Sequence, residues 1–333
     1  MSNNNYAREG RYQDEEAILI GFGSYSAVML PRIGGNLISF RDEVNQYAIL
    51  REPTAEEWTS FVERPMVHGI PVLFPPNRYD NGTFTFNNHT YSFPINEPST
   101  GNHLHGFVYD CPWETVEYGC DDDKSWVSVR IRFDDTHPSF VHFPHEFTLT
   151  NTYTLSAKGL SQHFHAINDG NTALPFMLGF HTAVNAPFAA GSTPEDLSCL
   201  FTLGNRWEMS ERMLPTDKFQ PLSPSEQQLK DGVGNPYAED MDNHYTALPQ
   251  NGSNRMTLTD TKAKKRLVYD VGLKYKQWMI WNNKSNRAYF CPEPQTSQVN
   301  APNSTLPTEE NGLFALEPGQ EWSETSHMYL ESV

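Results

Sequence analysis

Short segments that alternate apolar and polar residues recur every ten or so residues along much of the chain, and this period of two restricts the fold more than any other feature. Thr83 to Ser92 places Phe84 and Phe86 on one side and Thr83 and Thr85 on the other. It turns at Asn87-Asn88 and resumes with Tyr91 and Phe93, a hairpin pattern. Ser125 to Phe133 repeats it with Trp126, Val127, Val129, Ile131 and Phe133, and Glu146 to Leu155 with Phe147, Leu149, Tyr153 and Leu155. Weaker or shorter strands are predicted at Gln162 to Ile167, Leu267 to Tyr269 and Gln277 to Trp281. The apolar runs Ala17–Gly23 and Ser26–Leu30 pair as a further hairpin, and Gly34-Gly35 marks a tight turn into the next strand. No long window has helical periodicity; Glu56 to Glu63 suits either a short helix or a loop. Aromatics at 13%, with 21 Gly and 24 Pro, fit many strands joined by turns. No internal repeat or linker-like break divides the chain. The expected architecture is therefore all-β, one large antiparallel β-sandwich domain over residues 1–333. Residues 1–14 read as a loosely ordered start, and Pro215–Asn243, polar and rich in Pro and Gly, as a long surface excursion.

Charge narrows the partners. The chain holds 24 basic and 41 acidic residues, a net charge of −17. A field of that sign repels phosphate backbones and anionic membranes, so neither nucleic acid nor membrane is an expected partner. No run approaches the roughly 18 apolar residues of a membrane helix, and the polar start does not read as a signal peptide. The four cysteines, Cys111, Cys120, Cys199 and Cys291, form no C-x-x-C pair and no disulfide framework. Reduced thiols make the cytoplasm the expected setting, and the expected assembly is a monomer or homodimer.

The chemistry-bearing residues gather in three segments. Gly69 to Phe107 runs from an apolar stretch through Pro75-Pro76-Asn77-Arg78 to Asn102-His103-Leu104-His105-Gly106-Phe107. His103 and His105 alternate and so share a strand face, but no third ligand stands at metal-site spacing and H-E-x-x-H is absent. Arg78 presents a planar fork of donors suited to paired hydroxyls, or to a surface ion pair. His181 ends the apolar run Leu174–Phe180, where it is presented as a site residue or caps a carbonyl. Glu293 stands between Pro292 and Pro294; the two rings stiffen the backbone that aims its carboxylate, whether for catalysis or to solvate a turn. Trp113, Trp207, Phe188 and Trp281 are candidates either for stacking on a sugar ring or for the core. Glu317, before Pro318-Gly319, belongs in the turn before the last strand. The basic run Lys262, Lys264, Lys265 and Arg266 suits a solvated turn.

Taken in order, these segments resemble the aldose 1-epimerase (galactose mutarotase) family. The resemblance is carried by Pro71–Arg78, Leu104–Phe107 with Pro112-Trp113-Glu114, Pro175–Thr182, Arg206-Trp207-Glu208 with Arg212–Thr216, Glu293-Pro294-Gln295 with Asn300 and Asn303, and Leu316–Gly319. It covers almost the whole chain and implies a large antiparallel β-sandwich that interconverts the α and β anomers of a free aldose such as galactose or glucose, without metal or redox cofactor. By the same resemblance Glu293 is the general base at the anomeric hydroxyl and His181 the general acid at the ring oxygen. His105 hydrogen-bonds near that oxygen, and Arg78, Asn77 and Asp242 bind the sugar. The chain departs from the family in Ala183-Val184, where aromatics are common, and in Val108-Tyr109, where some relatives carry an arginine. The alternatives are a carbohydrate-binding protein without catalysis and a hexose-6-phosphate mutarotase. The scarcity of basic residues favours an unphosphorylated sugar.

Overall fold

The computed structural model describes residues 5–333. Two large sheets form the sandwich. One runs, from edge to edge, through Glu114–Cys120, Lys124–Phe133, Phe147–Ser156, Gly159–Asn168, Glu321–Ser332, Lys265–Asp270, Arg255–Asp260 and Leu197–Phe201. The other runs through Pro215–Gln220, Leu203–Met209, Asp242–Ala247, Gln277–Asn282, Tyr289–Gln295, Gly179–Phe180 and Val72–Leu73, with Val184–Asn185 also paired to Tyr289–Gln295. A five-stranded meander from Tyr6 to Ala48 packs beside them. The ladders of both sheets are antiparallel, as the alternation predicts.

The Phe147–Ser156 strand shows why these residues make this sheet. Phe147, Leu149, Asn151, Tyr153 and Leu155 are buried, and the intervening threonines are not. β-branched threonine suits the pleated outer face, while the rings fill the sandwich. The buried amide nitrogens of Asn151 and Gln162 each donate to the Tyr153 hydroxyl at 3.1 Å, which ties two neighbouring strands together inside the sandwich. Across the interior, Phe164 meets Phe180 at 5.4 Å and Phe201 meets Trp278 at 5.4 Å, which ties one sheet to the other.

The Thr83–Ser92 hairpin forms as expected, with Asn87 and Asn88 at φ 48° and 62°, the left-handed pair that a two-residue turn needs. Glu317 lies in the turn before the last strand, where its carbonyl accepts from Gln320 N. The ambiguous Glu56–Glu63 stretch contains a short helix, Trp58–Glu63, seated by buried Phe61.

Three expectations are corrected. Residues 1–4 of the supposed loose start lie outside the described residues, but Tyr6–Tyr12 is a strand paired along its length with Glu15–Phe22. Its charged residues sit on an edge strand, where alternation with a solvated face hides the pattern. Pro215–Asn243 is not a featureless excursion. It holds the Pro215–Gln220 strand and the Pro224–Asp231 helix, and it buries Glu226, Leu229, Tyr237 and Met241. The basic run is only partly a turn, because Lys265 and Arg266 open a strand.

Candidate active site

Strand period places the candidate residues on one outer face of the second sheet. In antiparallel pairs, residues directly opposite share a face, as do residues two apart. Met279 opposes Glu293 and Asp242 opposes Trp281, so these four project together. Their neighbours Trp278, Ile280 and Tyr245 point inward and are buried in the core. His181 follows the same rule. Phe180 and Thr182 face inward, toward Phe164 and the Tyr269 hydroxyl, and His181 between them faces out. Its amide donates to Pro71 O at 3.0 Å, which fixes the strand end. A Cβ on Gly179 would lie 2.9 Å from Pro76 Cβ and 3.0 Å from Gln295 Cγ, so only glycine lets this strand sit so close to the loop that carries Arg78.

That loop is built from two segments stitched together. Phe107 N donates to Phe74 O at 3.1 Å, and His105 N to Asn77 O at 2.9 Å. Asn77 and His105 both lie in the left-handed region, at φ 58° and 71°. The Asn77 side chain supports its own bend by accepting from Arg78 N at 2.9 Å. Phe74 anchors the assembly, its ring 5.0 Å from Phe147 and 5.4 Å from Phe176 in the core.

The bend corrects the expectation that His103 and His105 share a face. The strand ends at Leu104, and the left-handed residue after it breaks the alternation. His105 turns into the cavity, while His103 packs between Phe93 and Phe107 and bonds Pro94 O through Nδ1 at 2.8 Å. His103 is a core histidine.

Glu293, His181, His105, Arg78, Asp242 and Asn77, all six residues singled out by the resemblance, line one cavity of about 620 Å³, a volume suited to a small ligand. His181 Nε2 lies 3.3 Å from Glu293 Oε1. Both side chains are buried, and among the described residues Glu293 Oε2, His181 Nδ1 and His105 Nδ1 have no protein partner. The His105 and His181 rings sit 5.4 Å apart, nearly perpendicular. Arg78 grips Glu97 and places Nη2 3.5 Å from Asp242 Oδ2.

Burial dominates the electrostatics. It raises the Glu293 carboxyl well above its usual range, and the Asp242 carboxylate adds to that rise while Arg78 opposes it. It lowers His181 to about 4, helped by Arg64 and Arg78. His105 is pushed well below its usual value by burial and by His181. Asp242 is raised by burial against the pull of Arg78. Burial thus favours the neutral carboxyl and the neutral imidazole of this pair over the ion pair. Among the described residues, no group of three His, Cys, Asp or Glu side chains is placed to hold a metal ion.

Of the four candidate stacking rings, only Trp281 lines the cavity, beside Tyr289 at 5.7 Å. Trp113, Trp207 and Phe188 are core, and the two indole N–H groups donate internally to Val108 O and Gln277 Oε1. Ala183 packs behind Tyr289 and Cys291 instead of entering the cavity. Residues missed from the sequence include Glu97 and the rim around the short helix, with Ser60, Glu63 and Arg64. The sequence left that stretch open between helix and loop; Glu97 carried no signal, since its role depends on a loop folding back onto Arg78.

Comparison with known proteins agrees with this fold. The sequence model described as aldose 1-epimerase matches residues 16–329. A galactose mutarotase-like protein from Clostridium acetobutylicum is 31% identical in sequence and superposes with a TM-score of 0.95 over 99% of both chains. Galactose 1-epimerase from Lactobacillus acidophilus NCFM shares the fold, with a TM-score of 0.74 over 99% of both chains at 17% identity. The protein YihR of Escherichia coli (strain K12) is 29% identical over 121 residues; the match spans only 36% of this chain and 37% of that protein. With its family match running through nearly the whole sandwich, the chain belongs to the aldose 1-epimerase family.

Proposed function

We propose that the protein interconverts the α and β anomers of a free hexose, such as galactose or glucose, by acid–base ring opening and closure. One observation carries the reading: two buried groups of opposite proton affinity, His181 Nε2 and Glu293 Oε1, lie 3.3 Å apart in a sugar-sized cavity. Ring opening begins from the ion-pair form. Glu293 takes the proton of the anomeric hydroxyl, His181 gives a proton to the ring oxygen, and the C1–O5 bond breaks to leave the open aldehyde. Rotation about C1–C2 presents the other face, and closure returns both protons. The open-chain stage leaves a neutral carboxyl and a neutral imidazole, the pair that burial favours. Raising Glu293 strengthens the base, and lowering His181 strengthens the acid.

The rest of the cavity suits an uncharged sugar. Trp281, Tyr289 and Met279 supply apolar surface for its C–H face, and His105, Asn77, Arg78 and Asp242 supply polar groups for its hydroxyls. Arg78 is already paired with two carboxylates, and among the described residues no lysine lines the cavity and Arg64 at the rim is its one other arginine, a sparse set of cations for a sugar phosphate. A cytoplasmic setting accords with four free cysteines.

The test follows the optical rotation of freshly dissolved α-D-galactose and α-D-glucose. The protein is expected to hasten equilibration, and Glu293→Gln and His181→Asn each to lower kcat by about 10²–10⁴-fold. Acceleration that survives Glu293→Gln would overturn the mechanism. No acceleration of either sugar would overturn the activity and direct the assay to hexose 6-phosphates, then to binding without turnover.

A further inference from the structure

Glu97 stands in the connection between the His89–Ser92 and Asn102–Leu104 strands. Its carboxylate takes the Arg78 fork side-on: Nε donates to Oε2 at 2.9 Å and Nη2 to Oε1 at 3.0 Å. The Thr100 hydroxyl also donates to Oε2. The loop that carries Glu97 is tightly closed. Its carbonyl accepts from the amides of Thr100, Gly101 and Asn102, and its own amide donates to Asn102 O. Both members of the pair are mostly buried, with side-chain exposures of 11% and 16%, so this is not a solvent-screened surface bridge.

A guanidinium has five N–H groups. Glu97 occupies two of them and Asp242 stands beside a third. Nη1 has no protein acceptor among the described residues, although Arg78 lines the cavity with His105, His181 and Glu293.

We infer that Glu97 is a positioning residue for the anomeric reaction: it clamps Arg78 so that the Nη1 edge is held ready for sugar hydroxyls, and it offsets the Arg78 charge beside Glu293. The inference rests on the mutarotase reading. Charge is the part that a purely structural tie would not supply. An arginine without its carboxylate would favour ionised Glu293 and weaken it as a base. The other charged and titratable groups around this cluster are Asp242 on the neighbouring strand, Arg64 at the rim, and His105 and His181 across the cavity.

The test compares wild type, Glu97→Gln and Glu97→Asp in galactose mutarotation, with folding checked by circular dichroism. Glu97→Gln keeps the shape and one acceptor but removes the charge. It is expected to shift both limbs of the kcat profile to lower pH by on the order of half a unit, because losing a negative charge lowers the pKa of its neighbours. Glu97→Asp keeps the charge but is one methylene too short for the two-point grip. It is expected to raise KM about tenfold with the limbs in place. Wild-type constants and an unmoved profile in both folded variants would overturn the inference and leave the mutarotase reading intact. So would an equal loss at every pH in both. If Glu97→Gln does not fold, the KM of Glu97→Asp decides alone, an unchanged KM overturning the clamp. A wild-type protein without mutarotase activity would sink the function, and this role with it.

Discussion

Glu293 is costly to the fold for the same reason that it suits the reaction. Burial favours its neutral form, so its folded pKa stands well above the usual 4.5. Below that value the carboxyl is protonated in both states and its neutral burial is fully tolerated. As pH rises the unfolded chain loses the proton and the folded one resists, so this residue's contribution to stability declines. Glu293→Gln removes the titration while keeping the shape. Urea midpoints should match wild type near pH 4 and exceed it by a margin that grows toward about pH 8, even as activity falls. A mutant less stable than wild type at neutral pH would show that Glu293 is held ionised, against the neutral form that burial favours. His181 and Glu293 were legible in the sequence because short motifs surround them. Glu97 was not, because a glutamate in a loop has no local mark; its partner Arg78 reaches it only after the chain turns back.

At the scale of elements, the Pro224–Asp231 helix shows how a polar segment can be structural. Ser223 and Glu226 form a capping box: Ser223 Oγ accepts from Glu226 N at 3.1 Å, and Glu226 Oε2 accepts from Ser223 N at 2.6 Å. The same buried carboxylate takes Arg206 at 3.0 Å, the Tyr245 hydroxyl at 2.5 Å and the Asn243 amide at 3.1 Å. It thereby ties the helix to the strand that begins at Asp242 in the cavity. Glu226→Ala would leave Arg206 and Tyr245 without their partner and is expected to cost about 3–5 kcal/mol in urea denaturation, with Glu226→Gln costing less. A loss under about 1 kcal/mol for the alanine variant would mean that the network contributes little. Strands were legible here because alternation is a local signal. The helix was overlooked because Leu229 is nearly its only core contact, although Ser223-Pro224-Ser225-Glu226 carried a start signal. The sheet order was beyond reach: Arg78 and Asp242 lie far apart in sequence and meet only through the strand order.

Over the whole molecule, buried histidines make acid the weak side of this fold. Burial lowers His103, His145 and His181 to about 4, His244 to about 3, and His105 well below 6.5. In each, the folded chain keeps the ring neutral while the unfolded chain protonates it near 6.5. The unfolded state therefore binds more protons between about pH 6.5 and 4, and stability is full above that window and lost as pH falls through it. Glu293 and Asp242, both raised, act in the opposite sense but are two groups against five, so the histidines prevail. Folding free energy from urea titrations should fall steeply as pH drops from about 6.5 to about 5, with a slope equivalent to several protons. His244 offers a clean subtraction. It lies outside the cavity lining, and its Nε2 accepts from Val299 N at 3.2 Å, a bond that an amide oxygen can replace. His244→Gln should lower the slope by about one proton. An unchanged slope in that variant would place the acid sensitivity elsewhere, in a carboxylate held below its usual range such as Glu97 beside Arg78.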